Sequence, residues 1–350
     1  MDERRLSTRP TMRDVADRVG LSIKSVSRVL NGDPGVSEAK AEHVLTVARE
    51  LGFRRNDLAR SLRLQDRTET IGVVVRQAST RFYDSLIRGI DEVAARHGAL
   101  VLTATTQSAE REQSAVLALS SRRVDGLIIV PSGEDQSYLR AEAAARMPMV
   151  FVDRPARGIS ADTVVADNVA GGYAATQHLI ARGHQRIGVI GTRSSASTMS
   201  ERARGYRDAC REAGLASEDL VRWNAHGQEG AQQACEELLG LAHPPTALFA
   251  LNNVCTIGAV RALQGAQLSR QVALIGFDDF DTADLLNPPV TVITQDVEEM
   301  GRRAAEAIFS RIDGRPTTSR REKTVLPTTL IARGSGEIEP DRPVARRIGA

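Results

Sequence analysis

A chain of 350 residues exceeds one typical domain, and its 41% hydrophobic content excludes a disordered or fibrous protein. The net charge of +2 is uneven: residues 1–67 hold 14 Lys+Arg against 10 Asp+Glu, whereas the remainder holds 32 against 34, a modestly basic front on a slightly acidic body. Residues 1–10 lack the apolar core of a secretory signal, no run approaches the roughly 18 apolar residues of a membrane span, and Cys210, Cys235 and Cys255 are scattered without metal-ligand spacing, so a cytoplasmic protein with reduced thiols and no membrane contact is expected.

Beyond a flexible start at 1–10, Thr11 caps a helix whose Met12, Val15, Ala16 and Val19 recur at helical spacing, and Gly20 stops it. Ser22 caps a second helix carrying Val26, Val29 and Leu30, closed by the breaker run Asn31-Gly32-Asp33-Pro34-Gly35. Ser37 caps a third, with Val44, Leu45, Ala48 and Leu51 on one face and Gly52 at its end. After a charged linker at 65–70 the texture changes. The apolar runs 71–75, 99–103, 126–130, 149–153, 164–166, 186–190, 247–251, 273–277 and 290–294 read as buried parallel strands. The amphipathic segments 82–97, 170–182, 202–213, 231–239 and 297–312 read as crossover helices, and the alternation predicts two doubly wound parallel sheets. The glycine- and proline-bearing tail at 334–350 is expected to be flexible.

The first two helices meet three conditions at once. A close helix crossing needs a small residue, here Ala16; the tight turn needs a glycine in the left-handed region, here Gly20; the second helix needs an apolar anchor, here Val26. In such a helix-turn-helix the second helix presents Ile23, Lys24, Ser25, Ser27 and Arg28 to the major groove. Lys24 and Arg28 can donate to guanine O6 and N7, and Ile23 can touch a thymine methyl. The hydroxyls and the positive helix N-terminus suit phosphates.

The runs Met12-Arg-Asp-Val-Ala-Asp-Arg-Val-Gly-Leu-Ser22, Val26-Ser-Arg-Val-Leu-Asn31, Val36-Ser, Leu51-Gly-Phe53, Asn56 and Ala59-Arg-Ser-Leu62 resemble the head of the lactose/galactose repressor (LacI/GalR) family. Phe151-Val-Asp-Arg-Pro155, Gly183-His184, Gly205-Tyr206, Ile275-Gly-Phe-Asp-Asp279 and Thr294-Gln-Asp296 extend the resemblance through the body, over 11–333 in all. It implies an all-α helix-turn-helix head at 11–64 and an α/β two-lobed periplasmic-binding-protein-like body at 71–333. Lobe 1 is then expected at about 71–160 and 292–320, and lobe 2 at about 162–290 and 321–333. A transcriptional repressor that binds a near-palindromic double-stranded DNA operator as a homodimer is implied; no C-terminal heptad run argues for the alternative, a tetramer. Thr11, Ser22, Asn31 and Asn56 join the implied DNA-contact set. The segment 57–64 becomes a hinge helix, too short to be stable alone, that orders against DNA and a partner copy. Its Leu62 would wedge into the minor groove, with Ala59 and Arg63 on the same face.

In open α/β sheets ligands bind beyond the carboxyl ends of the strands. Asp153, Asn252, Asp278 and Gln295 stand just there, Arg202 opens a helix after a serine-rich loop, and Phe82 and Tyr83 open the first helix of the body. Carboxylates, an arginine fork, amides and aromatic faces suit a polyhydroxylated ring, and the resemblance implies effector contacts at these seven positions. A sugar or sugar derivative is the expected small-molecule effector; a purine or anionic co-repressor, or no effector, are the alternatives. The sequence departs from the family pattern at Arg76, at Thr80-Arg81, at Asn253 and at Ala225, where a pocket aromatic is usual although Trp223 lies close by. No catalytic residue, metal or cofactor is expected: the dinucleotide and Walker-type glycine motifs are absent, Ser194 and Ser195 lack nucleophile-elbow glycines, and His178 and His184 are not at metal spacing.

Overall fold

The computed structural model describes residues 10–31, 33, 36–53, 67–76, 80–192, 197–216, 218–314 and 322–340. They divide into two units, cut between Thr68 and Glu69.

In the first unit α1 (Met12–Val19), α2 (Ile23–Asn31) and α3 (Glu38–Glu50) enclose Val15, Ala16, Val26, Val29, Val44, Val47 and Ala48. Thr11 and Asp14 form a capping box: the Asp14 N–H donates to Thr11 Oγ1 at 3.3 Å and the Thr11 N–H to Asp14 Oδ2 at 2.6 Å. Gly20 takes φ +68°, and its N–H and that of Leu21 both return to the Ala16 carbonyl, ending α1 over the buried crossing residue. Ser22 Oγ accepts the Ser25 N–H at 3.1 Å. Ser37 stands at the N-cap of α3, but its hydroxyl makes no capping bond.

The second unit begins with β1 (Thr70–Arg76), α4 (Thr80–Arg96), β2 (Leu100–Thr106), α5 (Ala109–Ser121), β3 (Gly126–Ile129), α6 (Arg140–Ala144), β4 (Met149–Val152) and β5 (Asp162–Ala166). It continues with α7 (Asn168–Ala181), β6 (Ile187–Ile190), α8 (Ser197–Glu212), β7 (Val221–Arg222), α9 (Gly227–Leu239), β8 (Ala247–Ala250), α10 (Asn253–Gly265) and β9 (Ala273–Phe277). It closes with β10 (Thr291–Gln295), α11 (Val297–Ile312), β11 (Lys323–Leu326) and β12 (Thr328–Ile331). Two sheets result, ordered β11-β5-β4-β3-β1-β2 in lobe 1 and β12-β10-β9-β8-β6-β7 in lobe 2. The two orders repeat one pattern, and the one antiparallel pairing among the described strands is β10 with β12. The central strands β3, β4, β6 and β8 are buried along their whole length, as continuous apolar runs between two helical layers should be. The chain passes between lobes at Ala166–Asn168, Gln295–Val297 and Leu326–Thr328.

Lobe membership differs from the expected boundaries in three places. β5 belongs to lobe 1, because it pairs with β4 and because the buried Asp162 takes Arg311 Nη2 at 2.7 Å and the Glu322 N–H at 2.9 Å, tying it to α11 and β11. β10 belongs to lobe 2, in register between β9 and β12. The run expected wholly in lobe 2 is split at Pro327, which cannot donate to a ladder, so β11 joins lobe 1 and β12 joins lobe 2.

The tail expected to be flexible from 334 is ordered through Pro340. Ser335 is buried; its Oγ accepts the Thr291 N–H at 2.9 Å and donates to the Leu274 carbonyl at 2.5 Å. Glu337 meets His178 Nε2 at 2.8 Å and pairs with Arg182, while the Ile338 carbonyl lies 2.8 Å from His184 Nε2. This strap satisfies polar groups of lobe 2 that would otherwise be buried unpaired.

Candidate functional site

On α2, Ile23 is 43% exposed, Lys24 and Arg28 are exposed, and Ser25 and Ser27 are half-buried. Val26 and Val29 anchor the opposite side. Several hydroxyls of the expected contact set also hold the head together. Thr11 Oγ1 donates to Asp14 Oδ2 at 2.7 Å, and Ser22 Oγ lies 2.9 Å from Ser25 Oγ. Two exposed cations and an exposed apolar side chain therefore characterise this helix. Asn56, Ala59, Leu62 and Arg63, the hinge 57–64 and the side chain of Asn31 lie outside the described residues.

In the body, all seven residues expected at the effector site line one cavity of about 580 Å³ between the lobes. Phe82 and Tyr83, at the start of α4, meet edge to face with ring centroids 5.2 Å apart. Asp153 and Asp278 hold equivalent places in the two lobes, each one residue beyond its strand. Their φ values are +69° and +68°, a left-handed conformation that aspartate tolerates better than most residues. Their N–H groups donate to Val164 and Ile293 on the neighbouring strands, at 3.0 and 2.8 Å.

Arg202, 3% exposed, is the hub. Its Nη1 donates to Asp278 Oδ2 at 3.1 Å and to the Leu251 carbonyl at 2.7 Å, its Nε donates to Asn168 Oδ1 at 2.8 Å, and its guanidinium lies 3.6 Å above the Phe277 ring. Helix packing places it there: Gly172 of α7 lies so close to α8 that a Cβ would overlap the Arg202 carbonyl. Gln295 Nε2 donates to the other Asp278 oxygen at 2.6 Å, and its buried Oε1 has no partner among the described residues. Asn252 caps α10, its Oδ1 accepting the Cys255 N–H at 2.8 Å, so it serves helix and cavity together.

Burial, and then the charge of Asp153, push the Tyr83 hydroxyl up to about 12. Burial likewise pushes the Asp153 carboxyl up, against Arg154, whose Nε lies 3.2 Å away, and Arg202. At the rim, burial pushes Asp279 up, but the two-pronged grip of Arg333 at 2.7 and 2.8 Å outweighs it and holds the carboxyl low. Arg81 reaches Asp281 at 3.3 Å and Asp279 at 3.8 Å from the opposite lobe.

Contributors outside the expected site residues include Arg154 and Asn168. Arg154 lies in the cavity wall beside Asp153. Asn168 begins α7 at a crossing between lobes, where the strand-end rule does not look; it is buried, and its Nδ2 donates to the Ala166 carbonyl at 3.3 Å. Trp223 packs on the lobe 2 core and Ala225 is buried, so neither supplies the missing aromatic. Among the described residues no three His, Cys, Asp or Glu are grouped to hold a metal ion, and no helix is long and apolar enough to cross a membrane.

The family model for bacterial regulatory proteins of the lacI family matches residues 11–56. The model for periplasmic binding proteins and the sugar binding domain of the LacI family matches residues 68–333. The ribose operon repressor of Escherichia coli (strain K12) is 33% identical over 330 residues, 93% of this chain and 99% of that protein. Among solved structures, the transcriptional regulator CelR-cellobiose complex is similar at TM-score 0.70 and 31% identity, covering 93% of this chain and 100% of that one. The Lac repressor dimer bound to operator and the anti-inducer ONPF is similar at TM-score 0.83 and 25% identity, covering 94% and 99%. With head and body both matched in one chain, the protein belongs to the LacI family of bacterial regulatory proteins.

Proposed function

We propose that the protein is a cytoplasmic, sequence-specific transcriptional repressor, not an enzyme, whose hold on a near-palindromic DNA operator changes when a sugar or sugar derivative binds between the lobes of its body. One observation carries this reading: seven side chains from both lobes, far apart in sequence, converge on a single cavity in a chain that also bears a helix-turn-helix. Named relatives fit it, since one is a ribose operon repressor, one is bound to cellobiose and one is a dimer on its operator. Lys24 and Arg28 read base edges as paired heads of a homodimer dock side by side, and Ile23 covers a thymine methyl. Asp153 holds the ring from lobe 1; Arg202, Asn252, Asp278 and Gln295 hold it from lobe 2; Phe82 and Tyr83 face it. A ligand bridging the two aspartates favours one disposition of the lobes, and it shifts operator affinity only by its differential affinity for the two states.

Binding-site selection from random duplex DNA with the full chain should return a twofold-symmetric motif; a collection no better than random DNA sinks the reading. A melting screen of the same protein against sugars, sugar acids and sugar phosphates should find at least one that raises Tm. From the family resemblance, Leu62→Ala should weaken operator binding more than binding to random duplex. An equal loss on both counts against a wedge.

A further inference from the structure

The arginines around the cavity are matched by carboxylates with one exception. Arg202 holds Asp278 at 3.1 Å, Arg154 lies 3.2 Å from Asp153, and Arg81 faces Asp281 at 3.3 Å. The rim acids are taken up in turn: Asp279 by Arg333, Glu298 by Arg302 at 2.8 Å, and Asp296 by the first turn of α11. Arg76, at the carboxyl end of β1, lines the cavity and has no carboxylate within ion-pair distance among the described residues. Its charge is felt by both Asp153 and Tyr83, which places it near both. Around Asp153, Arg76, Arg154 and Arg202 stand with Asp278 as the other carboxylate, whereas the rest of the lining carries Arg81 with Asp279, Asp296 and Glu298. The buried Arg154 Nε–H also lacks an acceptor in hydrogen-bonding geometry among the described residues.

We propose that Arg76 forms an anion subsite, so that the effector is a sugar bearing a carboxylate or phosphate group held beside Tyr83 and Arg154. This rests on the reading of the cleft as a sugar site. A guanidinium provides a fork matched to either oxyanion, and a hydrogen bond to a charged group inside a cleft is stronger than one between neutral groups. A neutral sugar would leave the Arg76 guanidinium to water.

The test is calorimetric titration of the full chain, in parallel with gluconate and glucuronate, with glucose 6-phosphate and ribose 5-phosphate, and with glucose and ribose; acetate and inorganic phosphate serve as probes of the bare anion. The expected result is binding of at least one acid or phosphate, weakened by added salt, with its neutral parent binding at least tenfold less tightly. Preference for an acid or for a phosphate identifies the source of the charge. Arg76→Gln should weaken the anionic compound by roughly 10- to 100-fold and leave the neutral parent within a few-fold, while Arg76→Lys retains the preference. Equal affinity for a neutral parent, or an equal loss for charged and neutral compounds in Arg76→Gln, overturns the subsite and leaves the sugar reading standing. Binding of none of these sugars overturns both.

Discussion

Arg202 is held by four groups at once, and each leads somewhere different: Asp278 to the cavity, Leu251 to β8, Phe277 to β9, Asn168 to the passage between lobes. Removing the arginine would strand a partly buried carboxylate, at a cost of several kcal/mol, so Arg202→Ala confuses folding with binding. Asn168→Ala leaves the Arg202–Asp278 pair in place while removing hydrogen bonds to the Arg202 guanidinium and the Glu201 carboxylate, worth about 1.5–3 kcal/mol each, and one to the Ala166 carbonyl. It should weaken the sugar found in the melting screen about fivefold. Combined with Asp278→Asn the losses should fall short of additivity, because both act through Arg202; strict additivity would show that Asn168 does not position it. In the head, Arg28→Ala should weaken the selected operator by about 1–3 kcal/mol and random duplex by less, measured by fluorescence anisotropy; equal losses would assign Arg28 to the phosphates.

Helix contacts set how near the site residues stand. α7 and α8 touch through Gly172 and Gly205, and a methyl group at Gly172 has nowhere to go because the obstacle is the Arg202 backbone. Gly172→Ala should therefore destabilise the body by about 1–3 kcal/mol and weaken the effector as well. The same change at Gly265, in α10, meets nothing within 4 Å and should stabilise by about 0.4–1 kcal/mol. Thermal melting of the pair checks the contrast, and a like sign for both would refute it. Central strands were legible in the sequence because burial on both faces writes an unbroken apolar run. β7, β11 and β12 escaped because all three are sheet edges; β11 alternates exposed and half-buried residues and β7 has two residues in all. Of the seven cavity residues, Asp153, Asn252, Asp278 and Gln295 followed from where strands end, whereas Phe82, Tyr83 and Arg202 stand at helix starts and came with the family resemblance. Asn168 follows from no such rule, because its place depends on how two lobes share one connection.

Across the whole molecule, the strap from Gly334 to Pro340 changes what counts as the body. His184 is 1% exposed; the Ile338 carbonyl can only accept, so Nε2 carries the proton and Nδ1 accepts from the Thr246 hydroxyl at 2.9 Å. Deleting residues 334–350 leaves that buried donor unpaired, at about 1–3 kcal/mol, and Tm should fall; an unchanged Tm would show the strap to be dispensable. Burial, with help from Arg182, also holds the His184 pKa below the ordinary imidazole value. A folded pKa below the unfolded one means that the unfolded chain takes the proton first. Stability is then undiminished above about pH 6.5 and declines as pH drops from there toward the folded pKa. His184→Gln should lower Tm at neutral pH and flatten its decline between about pH 6.5 and 5.5; an unaltered slope would place the titration elsewhere.

The division of one late hairpin-like run at Pro327 also orders events during synthesis. Each sheet of the body takes one strand from residues 323–331, so neither half can be completed until those residues have left the ribosome. The three-helix head draws its core from a contiguous stretch ending at Phe53 and can fold long before. A premature stop before residue 323 would thus release a finished DNA reader attached to two unfinished halves, blind to any metabolite.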